Sequence, residues 1–255
     1  MRRVAVKIAY LGEDFVGSQI QPGFRTVEGE VLSNLAAIKN CDDPNVKCAS
    51  RTDRGVNALG NVVVFNTDFD DNVLLKALNA VSDGVFYRSV ATVDQNFNPR
   101  HANERIYRYV LPMDGIDVGK AKECASLFIG EHDFIRFCKV DEKKTVMNMR
   151  SVAVIENDNV LTVEFRSEYF LWNQIRRIAS AISSVGRGEM SLEDVVNALK
   201  GEPISIGPAR PDALTLIDVV YDNIEFTAPA AVPFCDKIKE EMFVCSLRKE
   251  FFGSL

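Results

Sequence analysis

The run Val46-Lys47-Cys48-Ala49-Ser50-Arg51-Thr52-Asp53-Arg54-Gly55-Val56-Asn57-Ala58-Leu59-Gly60-Asn61-Val62-Val63-Val64-Phe65 decides how the chain is read. Residues 46–50 predict a short strand and residues 61–66 a buried, valine-rich one. Between them, residues 51–60 form a polar loop with two glycines, in which Asp53 stands between Arg51 and Arg54. A cation within a few ångströms favours the ionised carboxylate, poised as a nucleophile or an electrostatic anchor. A turn aspartate that bonds its own backbone gives the same local pattern, so the loop alone leaves both roles open.

Working outward, Val4, Val6, Ile8 and Tyr10 alternate with Ala5, Lys7 and Ala9, the period of a strand. Gly12 and the turn Gln21-Pro22-Gly23 end that unit. Thr26 can then cap a helix whose Val27, Val31, Leu35 and Ile38 fall at helical spacing. A second helix fits residues 73–81, with Asp70 or Asp71 as its cap, and residues 85–93 return as a strand. The order β-α-β-loop-β-α-β is close to a ferredoxin-like unit. Beyond it come a strand over 106–111 and a helix over 118–129 stopped by Gly130. A hairpin of 151–156 and 160–166 follows across Asn157-Asp158-Asn159. A helix over 171–185 ends at Gly186, and Ser191-x-x-Asp194 opens another through Leu199. Residues 214–221 predict a strand and 238–251 a C-terminal helix, in a segment whose start Pro233 marks. The expectation is an α+β fold of two similar halves, residues 1–104 and 105–255, with a largely antiparallel sheet and a central cleft.

Of 255 residues, 47% are apolar and 26% charged, the balance of an ordinary soluble globular protein. No tract is rich enough in Pro, Ser or Gln for a linker, and the longest apolar runs are far too short to span a bilayer. The N-terminus alternates instead of running apolar, unlike a signal peptide, so a cytoplasmic, membrane-free protein is expected. Cysteines at 41, 48, 124, 138, 235 and 245 form no C-x-x-C pair, and only His101 and His132 could join them. Buried free thiols are therefore expected, and metal chemistry is not. A net charge of −6 argues against a nucleic-acid partner, yet a sum says nothing about a local basic cleft. Arginines do cluster: Arg51 with Arg54, Arg100 with Arg105 and Arg108, and Arg176 with Arg177 and Arg187.

The loop resembles the signature of the tRNA pseudouridine synthase A family, G/S-R-T-D-x-G-V-x-A-x-G-x-V-x-x-F, which Ser50 through Phe65 fill without a gap. Ala9-Tyr10-Leu11-Gly12-Glu13-Asp14-Phe15-Val16-Gly17 is similar to that family's opening block, and Gln21-Pro22 with Thr26-Val27-Glu28-Gly29 to its next. Phe97-Asn98-Pro99-Arg100-His101-Ala102 with Arg105-Ile106-Tyr107-Arg108-Tyr109 resembles its F-x-x-R-x-A and R-x-Y-R-Y blocks. Phe170-Leu171-Trp172-Asn173-Gln174-Ile175-Arg176 resembles F-L-x-x-M-V-R. The likeness, closest to an archaeal-like variant, runs in order from about residue 5 to 221. It departs at Asn57, where many relatives carry histidine, and at Trp172-Asn173, which replace a pair often led by histidine or tyrosine.

The resemblance implies the pseudouridine synthase fold and the isomerisation of uridine to pseudouridine, without metal or other cofactor. The target would be a uridine of the tRNA anticodon stem-loop, at roughly positions 38 to 40, taken out of its stack. By the same match, Asp53 is the nucleophile, attacking C6 of the base or C1′ of the ribose. Tyr107 stacks on the base and Arg176 pairs with Asp53. Arg51 extrudes the nucleotide and holds its phosphate. Leu214 lies against the uracil. Arg54, Arg100, Arg105 and Arg108 are expected to bind substrate, the last three as a phosphate track. The family also implies a homodimer.

The residues also admit two other readings. One is a tRNA-binding or tRNA-folding protein that keeps the fold without turnover, against which the intact Asp53, Tyr107 and Arg176 speak. The other makes Asp53 the nucleophile of a phosphotransfer or hydrolytic enzyme, but neither G-x-x-x-x-G-K nor a second loop carboxylate is present.

Overall fold

The computed structural model describes residues 1–39, 46–140, 144–228 and 235–253. In chain order the elements are β1 (Arg2–Tyr10), α1 (Val27–Ala37), β2 (Lys47–Cys48), β3 (Asn57–Thr67), α2 (Asp71–Val81) and β4 (Val85–Val93). Then come β5 (Glu104–Pro112), α3 (Val118–Ser126), β6 (Gly130–Asp133), β7 (Val146–Met149), β8 (Ser151–Asn157) and β9 (Val160–Ser167). The chain continues with α4 (Gln174–Gly186), α5 (Leu192–Leu199), β10 (Leu214–Val220) and α6 (Cys235–Gly253).

Eight strands form one sheet in the order β4-β1-β3-β10-β5-β9-β8, with β2 also on β3. Every pairing in it is antiparallel except β10 on β3, which is parallel. The mixed α+β class and the largely antiparallel sheet are thus as expected. The strands before residue 104 make one side of the sheet and those after it the other. β10 lies between them. Asn57 and Ala58 at the start of β3 pair with Thr215 and Leu216, while Val63 and Val64 further along pair with β2. Where β10 diverges, Gly60 permits the crossing: a Cβ there would stand 2.6 Å from the Ile217 carbonyl oxygen.

The centre of the sheet is apolar on both faces, with Val4, Val6, Ile8, Val62, Val63 and Val64 wholly buried. Burial of each such side chain contributes about 1.5–3 kcal/mol. Helices α1 and α2 pack near β4, and α3 and α4 pack on each other and near β8 and β5. Ala121, Cys124 and Ala125 of α3, and Ile178, Ala179 and Ile182 of α4, are all buried.

Several boundaries differ from the expectation for local reasons. β3 begins at Asn57, not residue 61, because the Asn57 amide is tied into neighbouring segments and Gly60 lies under β10. α4 begins at Gln174, not residue 171, because Asn173 adopts a left-handed φ of 60°. Helix α3 stops at Ser126, and Gly130, at φ 103°, opens a small hairpin of β6 and β7. The polar Gly-Glu-His-Asp of β6 carries no alternation to announce it. Thr26 caps α1 through its side chain, and Ser191 and Asp194 form a full capping box on α5. Asp70 occupies the cap of α2 without a side-chain bond. Cys48, Cys124 and Cys138 are buried as expected, but Cys245 on α6 is exposed. Cys41 and Pro233 lie outside the described residues.

Candidate active site

The Asp53 loop is held from below by uncharged groups. Asn61 is wholly buried; its Oδ1 accepts from Ser50 N at 3.2 Å and Val62 N at 2.9 Å. Its Nδ2 donates to the Ser50 carbonyl at 3.0 Å and to Tyr10 Oη at 3.2 Å. Tyr10 Oη in turn bonds Thr52 Oγ1 at 2.9 Å. Ser18 grips Thr52 on both backbone sides: Thr52 N donates to Ser18 Oγ at 2.8 Å, and Ser18 N donates to the Thr52 carbonyl at 3.0 Å. Val56 N closes the turn on the Asp53 carbonyl at 3.1 Å, with Gly55 at φ +85°. Asn57 then links two neighbouring segments, accepting from Gly12 N at 2.8 Å and donating to the Asp212 carbonyl at 2.8 Å. Each bond adds about 1 kcal/mol net, and more is lost when a buried partner is left alone.

This bracing leaves the Asp53 carboxylate on the floor of a cleft of about 970 Å³. Arg176, in the first turn of α4, faces it, with Nη1 at 3.6 Å from Oδ2. That is charge contact more than a hydrogen bond. The arginine is 15% exposed and the aspartate 39%, so the pair is worth about 1 kcal/mol or less. Its chief effect is orientation. Arg176 is itself fixed, with Nε donating to the Ala209 carbonyl at 2.6 Å and Nη1 to Asn173 Oδ1 at 3.1 Å.

Tyr107 of β5 lines the same cleft, its ring edge-on to Phe170 with centroids 5.2 Å apart. Burial pushes its hydroxyl above the ordinary tyrosine value; the Arg105 charge and a hydrogen bond with Ser50 act the other way, and Asp53 adds to the rise. Tyr107 is therefore a neutral phenol at physiological pH. Tyr109, two residues on, is buried on the same strand face but lies outside the cleft and donates to the Arg210 carbonyl at 2.9 Å. Leu214, at the head of β10 and paired with Tyr109, completes the apolar wall.

The expected arginine track divides. Arg51, Arg54 and Arg100 are exposed on the cleft lining. Arg105 is buried: Nε donates to Ser50 Oγ at 2.9 Å, and Nη2 to the Ala49 and Arg100 carbonyls at 3.1 and 2.9 Å. A further Nη1 bond reaches the Glu168 carbonyl. Four of the five guanidinium hydrogens are thus engaged, and the side chain braces the site in place of presenting itself to phosphate. Arg108 points to the opposite face of β5, away from the cleft, where it pairs with Glu164 at 3.1 Å.

Tyr10, Ser18 and Asn61 were not anticipated. Asn61 carried a signal, since an amide heading a buried valine run must find partners. Tyr10 stood in the block similar to the family's opening, which gave it no role; Ser18 carried no signal. Among the described residues, no group of three or more His, Cys, Asp or Glu side chains is placed to hold a metal ion. Nor is any helix there long and apolar enough to cross a membrane.

A family model described as tRNA pseudouridine synthase matches residues 124–222. The protein named tRNA pseudouridine synthase A of Pyrococcus abyssi is 42% identical, over 88% of this chain and 86% of its own length. Its namesake in Pyrococcus furiosus is 41% identical over 88% and 85%, and that of Pyrococcus horikoshii 40% over 98% and 94%. Among solved structures, a Cbf5-Nop10-Gar1 complex is similar at a TM-score of 0.35 and 13% identity, over 71% of this chain and 45% of that one. A likeness so slight carries no argument.

Proposed function

The chain belongs to the tRNA pseudouridine synthase A family, and from that premise we propose that it is the isomerase that converts uridine to pseudouridine in tRNA, with Asp53 as nucleophile. The observation that carries the site assignment is the Asp53 carboxylate held 3.6 Å from Arg176 in a cleft lined by Tyr107 and Leu214. The reaction is redox-neutral and consumes no water. The C1′–N1 bond breaks, C1′ joins C5, the C5 proton leaves and N1 regains one. One carboxylate suffices to hold the sugar or the base while the uracil turns. Attack at C6 or at C1′ serves that end equally.

In this reading the neutral Tyr107 stacks on the base, and Leu214, on the same face of the sheet, packs against it. An apolar contact surface lets the uracil rotate without hydrogen bonds that would tie it to one orientation. Arg176 keeps the carboxylate aimed into the cleft. Arg51 fills the place of the extruded nucleotide, while Arg54 and Arg100 hold phosphates. The target lies in the anticodon stem-loop, at roughly tRNA positions 38 to 40, reached by flipping. So few rim cations on a chain of net charge −6 favour a homodimer, in which a second copy adds phosphate contacts. The compartment is the cytoplasm, and residues 1–104 and 105–255 act as two units that share the cleft.

Tritium release from C5-labelled uridine in a panel of tRNA transcripts, mapped by position, tests this directly. Asp53→Asn should lower the rate about 1,000-fold or more while the fold persists. Turnover retained by that variant removes Asp53 from the role of nucleophile.

A further inference from the structure

Phe170 and Trp172 lie two residues apart in the irregular segment between β9 and α4, and both line the cleft. Phe170 packs edge-on to Tyr107 in the depth of the site. Trp172 remains 45% exposed, although it is held from two directions. The Lys139 backbone N–H donates to its carbonyl at 2.8 Å, and the Lys139 ammonium stands 3.8 Å from the centre of its ring. The left-handed Asn173 keeps Trp172 out of α4. Tyr169, 44% exposed, and Lys144 share this wall. A large aromatic that is fixed and 45% exposed, with a cation over one face of its ring, offers what a nucleobase needs: a second π-face to stack on and a charge close by for the phosphate.

We propose that Trp172 is the stacking platform for an unpaired base flanking the target uridine, with Lys139 taking the adjoining phosphate. The proposal rests on the reading of the chain as a tRNA uridine isomerase. The target base itself belongs at Asp53 and Tyr107. Trp172 lines the same cleft, two residues on from the Phe170 ring that abuts Tyr107, so the base suited to it is a neighbour of the target in the same strand. Because every base has a π-face, the platform adds affinity without selecting sequence. It works by positioning: a flanking base parked on Trp172 keeps the strand from drawing the target back into its stack.

Trp172 is the only tryptophan in the chain, so its fluorescence reports the contact without interference. The full-length protein is titrated with an end-labelled anticodon stem-loop RNA, following label anisotropy for binding and tryptophan emission for stacking. Emission should be quenched along the same curve as binding, and less so when the flanking nucleotide is abasic. Trp172→Ala should raise KM in the tritium-release assay by about 5- to 100-fold, and by more than it lowers kcat. Trp172→Phe, which keeps an aromatic face, should recover part of the loss. RNA that binds with unaltered emission, or a Trp172→Ala enzyme with unaltered KM, overturns the platform while tritium release leaves the isomerase reading standing. Absence of both binding and tritium release with every tRNA overturns that reading, and the platform with it.

Discussion

The two walls of the cleft are built by different means. On one side the Asp53 loop rests on Asn61, Tyr10 and Ser18, uncharged groups sealed from water. On the other, Arg176 in the first turn of α4 and Trp172 in the irregular segment before it are held by the Ala209 carbonyl and the charges of Asp53 and Lys139. Hydrogen bonds in the dry wall gain from low dielectric and are indifferent to salt. Charges in the wet wall are screened and adjustable. In the proposed reaction this gives the nucleophile a fixed address and leaves the wall that would meet RNA some freedom to fit it.

Breaking the dry wall should give the largest effect on stability. Asn61→Ala leaves the Ser50 and Val62 N–H groups, the Ser50 carbonyl and Tyr10 Oη short of partners. A loss of about 2–4 kcal/mol in urea unfolding is expected. Arg105→Ala removes the one buried cation described in this wall and should cost a similar amount, since it strips the Ala49, Arg100 and Glu168 carbonyls of a donor. If either variant unfolds like the parent, the contrast between the walls is wrong.

The charged pair sets a smaller test. Arg176→Ala removes bonds to Ala209 and Asn173 as well as the ion pair and leaves a carboxylate alone; Asp53→Ala removes only the ion pair. The first should cost about 1–2 kcal/mol and the second about 0.5 or less, read as urea midpoints at equal m-value. Equal losses would mean that the ion pair alone, and not the arginine's bonds to Ala209 and Asn173, holds the wet wall.

The smallest effect separates the cleft rim, where Arg100 lies, from the far face of β5, where Arg108 lies. Arg100→Ala should flatten the log–log salt dependence of tRNA binding by about 0.7 to 0.9. Arg108→Ala, on the far face with Glu164, should leave it unchanged. Filter retention across a salt series reads both, and a shallower slope for Arg108→Ala would place RNA on the wrong face of the sheet.

Much of this was legible in the sequence because it depends on period and on local chemistry. The alternation of β1, the helical spacing of α1 and the capping box of α5 each follow from a few adjacent residues. Asp53, Tyr107 and Arg176 could be brought together beforehand only through the family resemblance; nothing local says that residues 53 and 176 come within contact. The arginine track failed to form as one surface for a related reason. Arg105 and Arg108 sit three apart on a strand and so face opposite ways, and which face meets the cleft is fixed by β9 and β10, not by β5. The start of α4 was set by a single backbone angle at Asn173, which composition does not encode.

The position of β10 has a consequence for how the molecule comes into being. Residues 214–220 form the strand between β3 and β5, so the last strand of the described sheet to leave a ribosome goes into its middle. Until then the nascent chain carries two exposed strand edges, each a template for wrong pairing. The parallel joint to β3 closes a loop of well over a hundred residues, a slow step by topology alone. Leu214 arrives with that strand, so the cleft gains its apolar wall only when the two parts of the sheet are joined. If the cleft holds the substrate as proposed, a half-made chain would lack one of its walls, and the enzyme's birth would be timed by its own central seam.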